Sequence, residues 1–132
     1  MKTRSIDPTP SLEHFGLSHA VEVSGGARTL YLSGQTSTGP EGEPLHPGDL
    51  VAQFKLAWSN LKDTLSAADM GPINVVRLNI YTTDVQGFMA KAEELVPIWA
   101  ADGIRPSCTL LEVSALFDPT LLVELEATAV GD

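Results

Sequence analysis

The stretch LVELEATAV, residues 122–130, alternates between apolar side chains and polar or acidic ones. Successive side chains of a β-strand point to opposite faces, so this run predicts a strand over residues 121–130. One face of that strand carries Leu121, Val123, Leu125, Ala127 and Ala129. The opposite face carries Leu122, Glu124, Glu126, Thr128 and Val130. The strand is therefore expected to bury one face and to present two carboxylates on the other.

Two upstream segments have the three- and four-residue spacing of apolar side chains that is typical of a helix with one buried face. The first, residues 49–68, carries Val51, Phe54, Trp58, Leu61 and Leu65. The second follows Asp84, a predicted N-cap, and carries Val85, Phe88, Ala92, Leu95 and Trp99. Gly103 is a natural stop for this second helix. Pro97 predicts a kink or an early end, because proline removes a backbone hydrogen bond.

Period-two patterns predict the remaining strands. Residues 19–24 and 29–33, joined by Gly25-Gly26, are interpreted as a β-hairpin. Residues 75–81 and 109–114 predict two more strands, with Val76, Leu78 and Ile80 on one face of the former. Residues 36–48 are rich in glycine and proline and predict a loop. Residues 1–17 are interpreted as an extended N-terminal arm.

The predicted order is β-β-α-β-α-β-β in a single domain, residues 1–132. Two amphipathic helices suit one face of a single mixed sheet, which makes the chain an α+β protein. The other face of the sheet, which carries Leu122 and Val130 among polar groups, is then uncovered. Such a face suggests contact with another subunit, and it places Glu124 and Glu126 at or near the interface.

Composition narrows the function classes. The chain has 43% hydrophobic and 19% charged residues, which is ordinary for a soluble globular protein. No apolar run approaches the roughly 20 residues of a membrane span, and the N-terminus lacks the apolar centre of a secretory signal. One cysteine cannot form an internal disulfide, so the cytoplasm is the expected compartment. The net charge is −9 and no two of the eight basic residues are adjacent, which argues against a nucleic-acid partner.

The chain resembles the YjgF/Rid family over about residues 12–130. The resemblance is carried by SGQTSTGPEGE (33–43), RLNIYTTDVQGF (77–88), LLVELEATAV (121–130), and Gln53 and Asn60 in the first helix. It implies a chorismate-mutase-like fold and a homotrimer with clefts between neighbouring subunits. Deaminating members hydrolyse enamines and imines formed by amino-acid dehydratases, giving a 2-oxo acid and ammonia without metal or organic cofactor.

The resemblance also implies a modified site. Deaminating members carry Pro-Ala-Arg followed by Ser or Thr, and the arginine grips the substrate carboxylate. Here the matching run is Pro-Ser-Cys-Thr (106–109), so Cys108 takes the arginine position, and a thiol cannot replace a bidentate guanidinium. Leu17 matches a tyrosine and Ala92 matches an asparagine, which favours a more apolar substrate. Glu124 and Gly34 match the retained glutamate and cleft glycine.

Each candidate residue has a functional and a structural interpretation. Glu124 is the catalytic candidate, as a general acid/base or water-orienting group, and Glu126 is a further candidate on the same face. The structural alternative for both is an interface carboxylate paired with Arg or Lys, or a solvated one. Cys108 lines the cleft, acts as a nucleophile, which requires a lowered pKa, or is a small apolar filler of the interior. Arg105 either binds an anion after rearrangement at Pro106 or forms an ion pair.

The remaining candidates are expected to line or support the cleft. Leu17, Phe88 and His19 are possible lining residues, although a hydrogen bond within the fold is the alternative for His19. Backbone N–H groups near Thr109 are candidates to stabilise developing charge. His14, His19 and His46 lack the companions of a metal set, so no metal site is predicted.

Three functions remain open. The first is a small-molecule hydrolase that acts on an enamine, an imine or a related reactive metabolite other than 2-aminoacrylate. The second is a non-catalytic trimer that binds a small ligand. The third, an endoribonuclease activity attributed to some relatives, is disfavoured by the net charge.

Overall fold

The computed structural model describes residues 1–132 in full. The elements are β1 (Lys2–Ile6), β2 (Ala20–Ser24), β3 (Arg28–Tyr31), α1 (Leu50–Ala67), β4 (Val75–Thr82), α2 (Val85–Ala90), α3 (Ala92–Ala100), β5 (Ser107–Glu112) and β6 (Val123–Gly131). Four strands form one sheet in the order β3-β6-β4-β5, in which β4 and β5 are parallel and the other neighbours are antiparallel. The predicted α+β class and mixed sheet are confirmed. None of the helices combines the length and the apolar character that crossing a bilayer demands.

The last strand, β6, lies between β3 and β4 in this sheet, and its buried and half-buried residues alternate as predicted. Val123, Leu125, Ala127 and Ala129 are each at most 3% exposed, while the residues between them are half-buried on the opposite face. The buried side chains of β6 belong to one core cluster with Phe54 and the other apolar residues of α1. The alternation therefore both orients the strand and fixes which face the helices cover.

Helix α1 forms where the apolar spacing predicts it. The Asp49 side chain accepts a hydrogen bond from the backbone N–H of Ala52 at 3.1 Å and caps the helix start. The apolar stripe is buried, with Val51 at its edge only half-buried.

Two polar side chains of α1 connect it to neighbouring loops. Gln53 is fully buried, donates to the carbonyl groups of His46 (2.9 Å) and Thr120 (2.8 Å), and accepts from the N–H of Leu122 (2.8 Å). Asn60 donates to two carbonyl groups of the loop that follows β3. The predicted loop at residues 36–48 is thus tied to the helix, and Gln53 fixes the entry into β6.

The second helical segment breaks at Lys91, and the early end predicted at Pro97 is wrong because α3 continues past that residue. Lys91 has φ −110° and ψ 16°, and it separates α2 from α3. Helix α3 then continues through Pro97 to Ala100, and the N–H of Ala101 bonds to the Pro97 carbonyl group at 2.9 Å. Because α3 restarts only at Ala92, the proline ring disturbs the beginning of a short helix rather than the middle of a long one.

The predicted hairpin between residues 19–24 and 29–33 is also wrong. Strand β2 pairs with β1 in a separate two-stranded ribbon, whereas β3 pairs with β6. Gly26 explains the crossing between the two sheets, because its φ is +88° and a Cβ there would lie 2.9 Å from Val130 Cγ1. The arm predicted at residues 1–17 accordingly contains a paired strand, β1, and a short 3₁₀ turn at Glu13–Phe15.

Strand β4 contains an irregularity that corrects its predicted facing. The pairing with β6 shifts between Val75 and Arg77. Val75 is consequently buried, and Val76, expected to face the core beside Leu78 and Ile80, is only half-buried.

Replacing Gln53 with Met tests the role of its buried amide. The substitution keeps the size of the side chain but removes the buried amide to which the backbone groups of His46, Thr120 and Leu122 bond, so we expect a loss of about 1–3 kcal/mol in the free energy of unfolding. Urea denaturation measures it. Lys55→Met, on the exposed side of the same helix, is the control and should change stability by less than about 0.5 kcal/mol. Equal effects of the two variants would contradict the assignment.

Candidate functional site

The sheet face turned away from the helices carries a polar row across three strands. Tyr81 lies opposite Glu124 in the register of β4 and β6, and Asn79 lies between Glu126 and Thr109. We call this surface, from Tyr31 on β3 across to Leu111 on β5, the open face. Tyr31 is 81% exposed and Leu111 is 49% exposed, so apolar and polar groups are both accessible there.

Glu126 is held firmly within the open face. Its Oε1 accepts hydrogen bonds from Asn79 Nδ2 and from the Tyr81 hydroxyl group, each at 2.9 Å. These two bonds hold the pKa of Glu126 below its ordinary value, with the Asn79 bond as the larger cause. The hydrogen bond between Tyr81 and Glu126 also raises the pKa of Tyr81. Glu126 is therefore a fixed negative charge.

Glu124, two residues earlier, has a different environment. Partial burial raises the pKa of its carboxyl group, and the negative charge of Glu126 raises it further. Neither cause is a hydrogen bond, so the group remains available to a ligand or to water. The pKa values of these two neighbouring carboxyl groups are shifted in opposite directions. Proteins use this arrangement to make one carboxyl group an acid/base and to keep the other ionised.

Gly34 gives Glu124 its position. The segment after β3 continues along β6, with the N–H of Leu32 bonded to Ala127 O (3.0 Å) and the N–H of Gln35 bonded to Leu125 O (2.6 Å). This path brings Gly34 against the carboxylate, where a Cβ would lie 2.6 Å from Glu124 Cδ. Only glycine leaves that space to the carboxylate.

Cys108 faces the other side of the sheet. It lies opposite Leu78 in the register of β4 and β5 and lines a pocket of about 150 Å³ under α2 and α3. All ten lining side chains are apolar, and they include Leu17, Phe88 and Ala92. Burial raises the pKa of the Cys108 thiol to about 11, so at neutral pH it is protonated, which disfavours the nucleophile interpretation.

Seven of the predicted site residues form two separate groups within one chain. Glu124, Glu126, Thr109 and Gly34 belong to the open face or its edge. Leu17, Phe88 and Cys108 line the apolar pocket on the helix side. Because the sheet separates the two groups, a single chain does not bring them into one cleft.

Arg105 and His19 belong to a third location, at the base of the ribbon. Arg105 Nη2 contacts Asp7 Oδ2 at 2.8 Å and donates to the carbonyl group of Leu17 at 3.2 Å. His19 approaches Asp7 Oδ1 through its backbone N–H (2.9 Å) and through Nδ1 (3.2 Å). Hydrogen bonding, led by the His19 N–H, lowers the pKa of Asp7. The structure therefore shows the ion-pair alternative for Arg105 and the hydrogen-bond alternative for His19.

Three residues of the open face were not recognised as site residues in the sequence. Asn79 and Tyr81 hold Glu126, and the Arg77 guanidinium group donates to Thr109 Oγ1. The alternation of RLNIY places all three on one face, but their partners depend on the strand order, which no local pattern encodes. No three His, Cys, Asp or Glu side chains lie close enough together to hold a metal ion.

Replacing Gly34 with Ala tests the contact with Glu124. The new methyl group displaces the end of a flexible side chain, so we expect a change of less than about 1 kcal/mol in the free energy of unfolding. The displaced carboxylate should become more exposed, and its pKa should fall toward the ordinary value, as measured by NMR titration of Glu124. Gly71→Ala, where a Cβ meets nothing within 4 Å, is the matched control. An unchanged Glu124 titration would refute the contact.

Replacing Glu126 with Gln tests the coupling of the two carboxyl groups. Removal of the neighbouring charge should lower the pKa of Glu124 but leave it above the ordinary value, because burial is the larger cause. NMR titration of Glu124 measures the shift. Glu93→Gln, an exposed change on α3, should leave the titration as it is. A higher Glu124 pKa in the Glu126 variant would be the contrary result.

Comparison with known proteins supports the resemblance noted in the sequence. Residues 13–131 match the family described as endoribonuclease L-PSP. Protein DfrA from Myxococcus xanthus is 36% identical over 114 residues, which span 86% of this chain and 84% of the relative. The mouse protein named 2-iminobutanoate/2-iminopropanoate deaminase is 34% identical over 113 residues, which span 86% and 79% of the two chains.

Solved structures agree in fold. A Rid-family protein of unknown function from Yersinia pestis superimposes with a TM-score of 0.85 and 35% identity, covering 98% of this chain and 99% of that one. A member of the YjgF/YER057c/UK114 family from Mycobacterium tuberculosis superimposes with a TM-score of 0.64 and 28% identity, covering 98% and 99%. By sequence and fold, the chain belongs to the YjgF/Rid family.

Proposed function

We propose that this protein is a small-molecule hydrolase that deaminates an enamine, an imine or a related reactive metabolite, with Glu124 as its general acid/base. The observation that carries the proposal is the carboxyl group of Glu124, which has a raised pKa, no hydrogen-bonding cause for that shift, and a glycine backbone against it. A relative that shares about a third of its residues with this chain bears the name of an imine deaminase.

The reaction requires proton transfers that one carboxyl group can perform. As a water molecule attacks the iminium carbon, the electron pair of the C=N bond moves to nitrogen and the Glu124 carboxylate accepts a proton from the water. Glu124 then returns that proton to the nitrogen of the carbinolamine, the C–N bond breaks, and the carbonyl product forms while the hydroxyl proton leaves with ammonia as ammonium. A raised carboxyl pKa brings the group closer to neutral pH, where acid and base steps are both efficient.

Glu126 supports this chemistry without taking part in proton transfer. Its charge is fixed by Asn79 and Tyr81, so it raises the pKa of Glu124 and favours a cationic iminium group nearby. The backbone N–H groups near Thr109 remain candidates to stabilise developing charge on the substrate.

We further propose that the cleft is completed between copies of the chain in a homotrimer. Three features support association through the open face and its border. Tyr31 and Leu111 are exposed there. Strand β5 is an edge strand whose outer side is paired only by an isolated bridge to Ser18 at its start, and the apolar pocket and Glu124 lie on opposite faces of one sheet. An assembly in which the pocket of one copy approaches Glu124 of the next would unite the two groups.

The expected substrate differs from 2-aminoacrylate. Cys108 takes the position at which the deaminating relatives carry the carboxylate-binding arginine, and Arg105 is engaged by Asp7. A substrate whose binding depends on a bidentate carboxylate contact therefore lacks an arginine at the position where the resemblance implies one. The cytoplasm is the proposed compartment, and nucleic acid is not a proposed partner.

Glu124→Gln tests the proposal against a panel of freshly generated imines, with ammonia release as the readout. The wild type should accelerate hydrolysis of at least one imine but give little acceleration with 2-aminoacrylate, and the variant should lose about 10²-fold or more in kcat. Glu94→Gln, an exposed change on α3, should retain full activity. Full activity in the Glu124 variant would refute the mechanism, and monomers in sedimentation analysis would refute the shared cleft.

If every imine is inert while a metabolite raises the melting temperature in proportion to its occupancy, the protein is a ligand-binding trimer instead.

A further inference from the structure

The apolar pocket that contains Cys108 is well defined in size and chemistry. Its volume is about 150 Å³, and its ten lining side chains, which come from α2, α3, β4, β5 and the segment before β2, are all apolar. Apolar cavities of about this volume stay dry and bind benzene in other proteins. Met89, one of the lining residues, is 47% exposed, so the pocket reaches the surface beside a flexible side chain.

No charged group is available to a ligand inside this pocket. The guanidinium group of Arg77 donates to Thr109 Oγ1 on the open face, across the sheet from Cys108. Arg105 is paired with Asp7 and bonded to the Leu17 carbonyl group. Cys108 is a neutral thiol at pH 7, because its burial outweighs the opposing charge of Arg77. A carboxylate that entered the pocket would lose its hydration without gaining a partner, which is costly.

We propose that this pocket holds an uncharged apolar substituent of the substrate, an aromatic ring or a branched alkyl group of about the size of benzene. The substrate class is then the imines and enamines of aryl or branched-alkyl carbonyl compounds that carry no carboxylate at this end. This assignment rests on the proposed hydrolase function for the reaction, with the reacting carbon presented to Glu124 of a neighbouring copy. Binding of the apolar group itself does not depend on Glu124.

Benzene and benzoate are suitable probes because they share a ring and differ in charge. Titration of the wild-type protein, followed by NMR shifts of the Cys108 and Leu110 amides, should give saturable benzene binding. Benzoate should bind at least about tenfold more weakly, because its charge must be desolvated. Glu124→Gln should bind benzene as the wild type does.

A pair of matched substitutions locates the binding. Ala92 lines the pocket, whereas Ala90, at the end of α2, is exposed and does not. Ala92→Leu fills part of the volume and should weaken benzene binding by about tenfold or more, since the ring no longer fits. Ala90→Leu makes the same chemical change outside the pocket and should leave the affinity as it is.

The outcomes separate this inference from the proposed function. Benzene binding that is absent, that is matched by benzoate, or that survives Ala92→Leu overturns the pocket assignment, even if Glu124-dependent imine hydrolysis is found. Selective benzene binding that is lost in Ala92→Leu supports the assignment, even if no imine is hydrolysed and the hydrolase proposal fails.

Discussion

The double pairing of β6, with β3 on one side and β4 on the other, is the constraint on which the rest of this structure depends. Its alternating side chains place Val123, Leu125, Ala127 and Ala129 in the core and Glu124 and Glu126 on the open face. A shift of one residue would bury both carboxylates and expose the core, so the apolar side chains fix the register of the acidic ones. Burial of the apolar residues of β6 therefore determines where its two carboxylates lie.

The two glutamates show how neighbouring positions acquire different properties. Both lie on one face of one strand, yet Glu126 receives two hydrogen bonds from β4 while Glu124 meets a glycine backbone. Their pKa values move apart because of what the adjacent chain segments offer, not because of their own sequence context. The acid/base candidate is thus defined by β4 and by the segment after β3 as much as by β6.

Local patterns predicted most of the fold, and non-local pairing accounts for the errors in the strands. The apolar spacing and the Asp49 cap located α1, and the alternation of LVELEATAV located β6, because each pattern lies within one element. The hairpin prediction failed because β2 and β3 are short and their partners, β1 and β6, lie elsewhere in the chain. Asp7 was missed for the same reason, since Arg105 contacts it across 98 residues of sequence. Glu124 could be located on the correct face, whereas the facing of Cys108 depends on the parallel register with β4.

That parallel register carries an evolutionary consequence. Leu78 lies opposite Cys108 and Asn79 lies opposite Thr109, so neighbouring residues of β5 serve opposite sides of the sheet. Deleting or inserting a single codon just before β5 would exchange their sides, directing the hydroxyl group inward and the thiol outward. Ligand preference in this scaffold is therefore encoded by the length of one connecting turn as well as by the identity of the lining residues, and a change of length could redirect it in one mutational step.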